Sequence, residues 1–587
     1  MTITNFPTAS NNNRPTLSAC MIVKNEEKFL FQCLESIKNA VDEIIIVDTG
    51  STDKTIEIAQ SFGAIIHHHP WKNSFSEARN HSLSYANCDW ILQIDADETL
   101  EHADIPLLHN LICVDSYNAI FVAIYSELPG GRSKHYYTRV FRRGKAYFEG
   151  IVHNQLIFEG ASLQSEIRFY HYGYNLTEHE MQNKYKRTGN LLREQLAENP
   201  DNIFIMTNLI RNYRNEYNFN KVIELGEKGL KLLVSQTDFN SCNQRQRIYI
   251  DLVYAFINTN QLDRAEEICE DAIKEHNDSL DILFVMGEIL LRREKFNDAL
   301  ICFKKYLIMK DRENKKPTFN LSIVDAYYYE HKAYDNIGVC YERLNLINEA
   351  EVAYKKAISL KNKEPQYYSN LAQLYIAHND IDKAGDITTT AINMGIANDS
   401  IYLLTGKIQS MQGKPHEAIK TLRKLIQRCN RNIHAHVFLI NLLIQTNQLK
   451  DAEGTIKEII SSNPDHLGLK CLMERVKFKN GDKDSANKFI HNILETNPSN
   501  ASVYHDLGNL SIEIEAYDTA IELLEKYLKV SPVDITAITN IAICYARLGK
   551  FEPARIGLHA ALKLDPTYTY ALQNLSILNK RLENRQG

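Results

Sequence analysis

Two short acidic stretches stand out for the chemistry they could do. One reads Val47-Asp48-Thr49-Gly50-Ser51-Thr52-Asp53 and the other Ile94-Asp95-Ala96-Asp97-Glu98. Each closes a run of branched aliphatic residues of the kind that makes a buried strand. At a strand terminus Asp95 and Asp97 share a face, because alternate residues point the same way. Two such carboxylates, with the oxygens of a diphosphate, suit a hard divalent cation that keeps some of its water. Asp48 and Asp53 also admit a plainer role, capping the helix that begins near Ser51 or Thr52.

The elements that must position these residues follow from periodicity. Residues 17–23, 43–48, 64–66 and 90–95 read as strands, and 24–37, 52–61 and 76–86 as helices. Strand alternating with helix predicts a parallel sheet covered on both faces. In such a sheet, functional residues sit just past the carboxyl ends of the strands.

Four pieces in this order, Met21-Ile22-Val23-Lys24-Asn25-Glu26-Glu27, Val47 to Asp53, Ala78-Arg79-Asn80 and Ile94 to Glu98, resemble a family 2 glycosyltransferase of the GT-A fold. The resemblance implies a nucleotide-sugar donor, UDP- ahead of GDP-, and Mn²⁺ or Mg²⁺. It implies that Val23, Asn25 and Glu26 cradle the nucleotide, that Asp48 accepts from the base, and that Asp53 and Arg79 lie near the nucleotide. Asp95 would approach the ribose and metal, and Asp97 would coordinate the metal.

Residues 136–158 are similar to the second half of these transferases. An arginine-bearing hairpin is followed by a Gly-x-x-His turn, Gly150 to His153. Many relatives carry an acid after that His, where this chain has Asn154. Glu149 then becomes the nearby candidate base, with Glu98 next, for a single inverting displacement. Arg139 and Arg142, with Arg143 beside them, are candidate diphosphate grips. His153 and His171 are further candidate metal ligands, each with a structural role as the alternative. The tract His67-His68-His69 invites a metal reading, but consecutive strand residues alternate faces and rarely share one ion.

The rest of the chain is periodic. Ala350, Ala384, Ala418, Ala452, Ala486, Ala520 and Ala554 recur every 34 residues, and Pro464, Pro498, Pro532 and Pro566 keep that interval. Gly338, Ala372, Gly406, Gly508 and Ala542 precede the corresponding alanines by 12. A 34-residue helix-turn-helix period identifies tetratricopeptide repeats, which stack into a superhelix. The step from Ala299 to Ala350 is longer and points to an insertion near 311–325. Asn336, Asn370, Asp506, Asn540 and Asn574 share one register of the groove-facing helix. They resemble the asparagine ladder of O-linked N-acetylglucosamine transferase, which implies contact with an extended peptide; Leu404, Phe438 and Leu472 interrupt the series, and solvated or capping amides are the alternative.

The domain reading is a disordered tail over 1–16, a GT-A domain over 17–175, a connecting helix over 176–200, about ten repeats over 201–566, and a capping helix and tail over 567–587. The fold class is thus an α/β GT-A domain followed by an all-α superhelix. The 587 residues carry 67 Lys+Arg against 73 Asp+Glu, a net charge of −6 that argues against a nucleic-acid partner. No apolar run is long enough for a membrane span. Eleven cysteines without a CxxC pair predict a reduced, cytoplasmic protein. Only 14 prolines and 24 glycines fit a mostly helical chain. The layout resembles bacterial transferases that modify flagellin or peptides, which implies transfer to Ser, Thr or Cys of a polypeptide held by the repeats. Transfer to lipopolysaccharide or another surface glycan is the alternative, and a regulator-binding scaffold is a second. Self-association remains open.

Overall fold

A computed structural model describes residues 14–128, 131–151, 154–173, 178–315, 324–430, 432–496 and 500–586. The chain forms two compact units, Met1–Asn362 and Lys363–Gly587.

The first unit is built on a sheet. Its strands are β1 (Leu17–Val23), β2 (Glu43–Asp48), β3 (Ile65–His68), β4 (Trp90–Gln93), β5 (Glu98–Leu100), β6 (Ala119–Leu128), β7 (Gly131–Arg142), β8 (Ala146–Glu149), β9 (Gln155–Phe158) and β10 (Ser162–His171). Eight of them form one sheet in the order β3-β2-β1-β4-β7-β6-β10-β5, while β8 and β9 make a separate hairpin. The β3-β2-β1-β4 half is parallel. It is covered by α1 (Leu30–Ile37), α2 (Thr55–Ser61), α3 (Phe75–Ser84) and α4 (Ile105–Ile112). β1 and β2 are apolar almost throughout because a parallel strand is buried on both faces.

The sheet is mixed, wider than the four parallel strands expected. β7 runs antiparallel to both β4 and β6, and β5 antiparallel to β10. The first helix starts at Leu30, six residues later than its apolar spacing suggested, because Asn25 takes a left-handed φ of 55° and turns the chain after β1. Arg14, expected in a disordered tail, is tied to Asp42 at 2.8 Å, and Thr16 N donates to Asp89 at 2.9 Å.

Helices complete this unit: α5 (Glu178–Glu198), α6 (Ile203–Asn215), α7 (Phe219–Leu233), α8 (Phe239–Asn258), α9 (Leu262–Glu275), α10 (Leu280–Arg292), α11 (Phe296–Lys315), α12 (Glu330–Arg343) and α13 (Ile347–Leu360). The expected insertion has a definite form. α11 runs 20 residues, and residues 324–328 then return as a strap between the helices and the sheet. Val324 bridges to Lys134 on β7. Ala326 N donates to Asp281 at 2.6 Å, and its carbonyl accepts from Tyr306 Oη at 2.7 Å. Asp325 pairs with Arg211 at 3.0 Å and Arg214 at 3.4 Å, and both arginines also hold Asp251.

The second unit is helical throughout. It comprises α14 (Pro365–Ala377), α15 (Ile381–Asn393), α16 (Asp399–Met411), α17 (Pro415–Arg428), α18 (Ile433–Gln445), α19 (Leu449–Ser462), α20 (Leu467–Lys479), α21 (Lys483–Glu495), α22 (Ala501–Glu513), α23 (Tyr517–Leu528), α24 (Ile535–Arg547), α25 (Phe551–Leu564) and α26 (Thr569–Gln586). The alanines in 34-residue register are all fully buried. The small-residue positions admit a large side chain 16 residues on. A Cβ on Gly338 would meet Tyr354 at 2.6 Å, on Gly406 Leu422 at 3.1 Å, and on Gly508 Leu524 at 2.8 Å. A third phase escaped the sequence reading. Asn345, Asn379, Gly413, Asn447, Gly481, Glu515 and Gly549 also lie 34 apart, and each takes a positive φ in the turn between the paired helices.

Candidate active site

The parallel strands β2, β1 and β4 bring their carboxyl ends to one edge, with Val23 beside Asp48 and Cys20 beside Gln93. Asp48 is buried. Its Oδ1 accepts from Ser51 N at 3.0 Å, and its Oδ2 accepts from Gly50 N at 3.2 Å and faces His68 Nδ1 at 3.3 Å. Gly50 sits at φ 110°, where glycine is unstrained. Asn25 Oδ1 accepts from Thr52 N at 2.8 Å, and the Val23 carbonyl accepts from both Thr49 N and Oγ1 at 3.0 Å. Val23, Asn25 and Asp48 therefore belong to one cross-braced frame of two loops.

Asp53 has another task. Its Oδ1 accepts from Thr55 N at 3.0 Å and Thr55 Oγ1 at 2.5 Å, and its Oδ2 from Glu27 N at 3.2 Å. The carboxylate thus braces Thr55, the first residue of α2, and the chain at Glu27, in line with the plainer of its two expected roles. Glu26 lies nearer the acidic pair. Burial and the charges of Asp97, Asp95 and Asp53, opposed by Lys184, push its carboxyl up to about 7.

The acidic pair divides its work. Arg79 Nη2 donates to Asp95 Oδ1 at 2.6 Å and Arg139 Nη2 to Asp95 Oδ2 at 3.1 Å, while Gln93 also donates to Oδ1 at 3.1 Å. Burial works against the Asp95 carboxylate, but the two arginines outweigh it and hold the group well below the usual range. Both oxygens of Asp95 are thus engaged by side-chain donors. Glu98 is buried against Arg139; burial raises its carboxyl despite that partner. Arg79 also donates to Asn154 Oδ1 at 2.9 Å, so the amide found where relatives carry an acid helps aim this guanidinium.

Asp97 faces the other way. Its Oδ2 lies 3.3 Å from His171 Nε2, and Tyr172 N donates to its carbonyl at 2.8 Å. Burial works against protonation of His171, but Asp97 and Glu98 raise its pKa. A Cβ on Gly173 would overlap the Asp97 carboxylate and come within 2.9 Å of His171 Nε2. A divalent cation would find Asp97 and His171 as donors here, and the missing side chain at 173 is what lets the Asp97 carboxylate lie against that residue's backbone. Among the described residues no three His, Cys, Asp or Glu converge on a metal site. Two protein donors suit an ion that completes its shell with water and substrate phosphate, so the residues present fit. His153 lies outside the described residues.

Arg142 and Arg143 do not reach this edge, which corrects the grip expected of Arg142. Because β7 is antiparallel to β4, Arg142 pairs with Trp90 at the amino end of β4. Its guanidinium lies over the Trp90 ring and pairs with Asp115 at 2.6 Å. Glu149 is exposed at the end of β8, opposite Gln155. Its cross-strand partner Gln155 lines a cavity, which Glu149 itself does not. The three consecutive histidines separate as their alternation predicts: His67 stacks on Tyr85, His68 faces Asp48, and His69 meets Glu77.

That cavity, of about 590 Å³, opens beside Asp95, Glu98, Arg139 and His171, and its far wall comes from α5, α6 and α8. Sequence analysis assigned α5 to a connecting helix and the residues from 201 onward to repeats, so it did not place those helices at the site. It missed Gly173 too, although the His-x-Gly spacing was there to be seen.

In the register of the expected asparagine ladder, Asn336 belongs to the first unit and the other four to the second; all are half-buried. In the second unit, Asn370 Oδ1 accepts from Gln366 at 2.7 Å, and Asn540 Nδ2 donates to Asn509 Oδ1 at 3.0 Å. Asn574 Nδ2 donates to the Tyr570 carbonyl at 2.7 Å, and Asp506 lies 3.6 Å from His505.

The sheet order, the braced loops after β1 and β2, and the acidic strand end after β4 define a GT-A transferase domain. Residues 18–176 match the glycosyl transferase family 2 model, and this segment is a domain of that family. Residues 331–364, 411–473 and 501–534 match tetratricopeptide repeat models. The SPbeta prophage-derived glycosyltransferase SunS of Bacillus subtilis is 35% identical over 197 residues, 32% of this chain and 47% of that protein. The chain thus spans about half the length of that relative. A TPR repeat-containing protein of Synechococcus elongatus is 50% identical over 84 residues, 14% of this chain and 21% of that one. A solved tetratricopeptide repeat protein from Parabacteroides merdae covers 46% of this chain and 96% of its own, at 15% identity and a TM-score of 0.33. Among the described residues, no helix is long and apolar enough to cross a membrane.

Proposed function

We propose that this chain is an inverting glycosyltransferase that moves a sugar from a nucleotide-sugar, UDP- ahead of GDP-, to Ser, Thr or Cys of a polypeptide. The observation that carries the reading is the acidic strand end: Asp95 clamped by two arginines, Asp97 facing His171, and a cavity beside them. The frame of Val23, Asn25 and Asp48 would seat the nucleoside. Asp97 and His171 would hold a divalent cation, which when bound neutralises charge on the departing diphosphate. Arg79 and Arg139 keep Asp95 ionised and fixed, and Lys184 adds positive charge close to Glu26 and Asp97.

In the displacement, the acceptor oxygen or sulfur forms a bond to the anomeric carbon. The bond from that carbon to the phosphate oxygen breaks, and its electron pair leaves with the diphosphate. The acceptor proton passes to a carboxylate, for which Glu149 is proposed ahead of Glu98, since Glu98 is held by Arg139. The ladder positions Asn370, Asp506, Asn540 and Asn574, with Asn336, are proposed acceptor contacts. Eleven cysteines without a disulfide fit a cytoplasmic setting.

The test is intact mass of candidate acceptor proteins incubated with the chain, Mn²⁺ and a panel of UDP- and GDP-sugars. A hexose or N-acetylhexosamine gain is expected. No gain across the panel sinks the reading, and a gain on purified glycan alone moves the acceptor class to glycans. Thermal shift with each nucleotide and Mn²⁺ reads donor binding separately from turnover.

A further inference from the structure

The cavity beside Asp95 has one wall the sheet does not make. Val23, Asn25 and Asp48 do not line it, whereas Asp95, Glu98 and His171 do. An acceptor must approach the anomeric carbon from the side away from the leaving diphosphate. The cavity runs from His171 to the helical wall, to which α8 contributes Gln244 and Arg247.

Arg247 is the unusual group on this wall. It donates to Asn208 Oδ1 at 3.1 Å, and it makes no ion pair with a carboxylate among the described residues. The Asn208 amide is itself fixed, because its Nδ2 donates to the Phe204 carbonyl at 2.9 Å. The nearby acids, Asp251 and Asp325, are taken by Arg211 and Arg214. Burial and the Arg211 charge push the Arg247 pKa down to about 10, as befits a guanidinium short of counter-charge. Five further polar atoms in the same lining are buried without a partner: the donors Arg79 Nε, Arg139 Nε and Asn154 Nδ2, together with His135 Nδ1 and the acceptor Gln244 Oε1. Buried polar groups are nearly always satisfied, so a wall with several unmet groups points to a ligand that meets them. The carboxylates in the lining, Asp95 and Glu98, are both held by arginines.

We propose that Arg247, aimed by Asn208 and flanked by Gln244, binds a carboxylate of the acceptor: an acidic side chain next to the residue that receives the sugar. A guanidinium matches a carboxylate with two parallel hydrogen bonds, which gives direction as well as charge. The proposal rests on the transferase reading above and adds a sequence preference to it. The donor diphosphate is the other anion that could reach Arg247, and the experiment separates the two.

Full-length protein, Mn²⁺ and the nucleotide-sugar that gives the largest thermal shift are offered two peptide libraries. Both centre on Ser, Thr or Cys; one has Asp and Glu flanks and the other Asn and Gln. The wild type is expected to favour the acidic library by roughly tenfold or more, the scale of one charge-assisted hydrogen bond pair. Arg247→Met should bring the ratio near one while keeping the UDP thermal shift. Arg247→Lys, which keeps the charge, should retain part of the preference and guards against a folding defect in the first variant. Equal use of both libraries by the wild type overturns the proposal, as does an unchanged ratio in Arg247→Met or use of neither library. Loss of the UDP shift in Arg247→Met assigns the residue to the donor and overturns it too. If no nucleotide shifts the wild type at all, the transferase reading itself has failed, which is a different result.

Discussion

Two places in the first unit set carboxyls against two arginines, and they end up with different work. At the strand end, Asp95 lies between Arg79 and Arg139, with Glu98 on Arg139 and raised by burial. Under the strap, Asp325 and Asp251 lie between Arg211 and Arg214, and Asp281 is the third carboxyl. Burial and the Asp325 charge push Asp281 up to about 7. In each cluster one acid is held ionised and another is driven toward its neutral form. What differs is the surroundings. The first cluster lines a cavity directly and has Asp97 packed on Gly173 beside His171; the second has a peptide unit of its own chain, that of Ala326, lying across it. Charge pattern alone does not mark an active site.

The comparison can be broken from either side. The largest expected effect is from Asp325→Ala, which removes a shared counter-charge from two half-buried arginines. Such a loss costs about 3 kcal/mol in stability, read as a lower urea midpoint, whereas UDP binding by the folded fraction should persist. If the urea midpoint does not move, the second cluster is not the structural one. Asp97→Ala should do the reverse: turnover falls about 10²- to 10³-fold with the midpoint almost unchanged, and retained metal-dependent activity discards the assignment of Asp97. Gly173→Ala tests the close approach of Asp97 to residue 173. Displacing Asp97 and His171 should lower turnover about 10- to 100-fold, measured beside the Mn²⁺ concentration needed for half-maximal thermal shift, which should rise.

The smallest effect is expected from Asp281→Asn, within about 0.5 kcal/mol near neutral pH, because the amide oxygen can still accept from Ala326 N. Its value lies in pH. A carboxyl whose pKa rises on folding, from 3.8 to about 7, gives stability that is full below the unfolded value and is lost as pH rises through about 7. The wild type should therefore lose stability relative to Asp281→Asn between those two values. Parallel pH profiles would show that Asp281 is not neutralised by its surroundings.

How much of this was legible in the sequence follows from how local each feature is. β1, β2 and β4 could be read because a strand buried on both faces is apolar throughout, and Asp95 and Asp97 because they are neighbours at one strand end. The 34-residue phase was legible because each repeat solves the same packing problem. Arg142 misled because its distance from Arg139 was read without strand direction; three residues along β7 reverse the face and carry the side chain about 10 Å away. Asp53 read two ways because a carboxylate in a loop after a strand can cap or bind, and its bonds to Thr55 show only in the structure. The strap was illegible: Asp325 meets Arg211 across 114 residues of chain, and no local pattern announces such a pairing.

The strap also sets where this protein can be cut. Residues 18–176 are the recognisable catalytic segment, yet the cavity beside Asp95 takes a wall from α8, and β7 is bridged by Val324. A fragment ending at 176 would therefore keep the acidic pair and lose the far side of the space next to it. The first compact unit ends at Asn362, so the four helix pairs from α6 to α13 would have to travel with the catalytic sheet in any domain transplant or gene fusion.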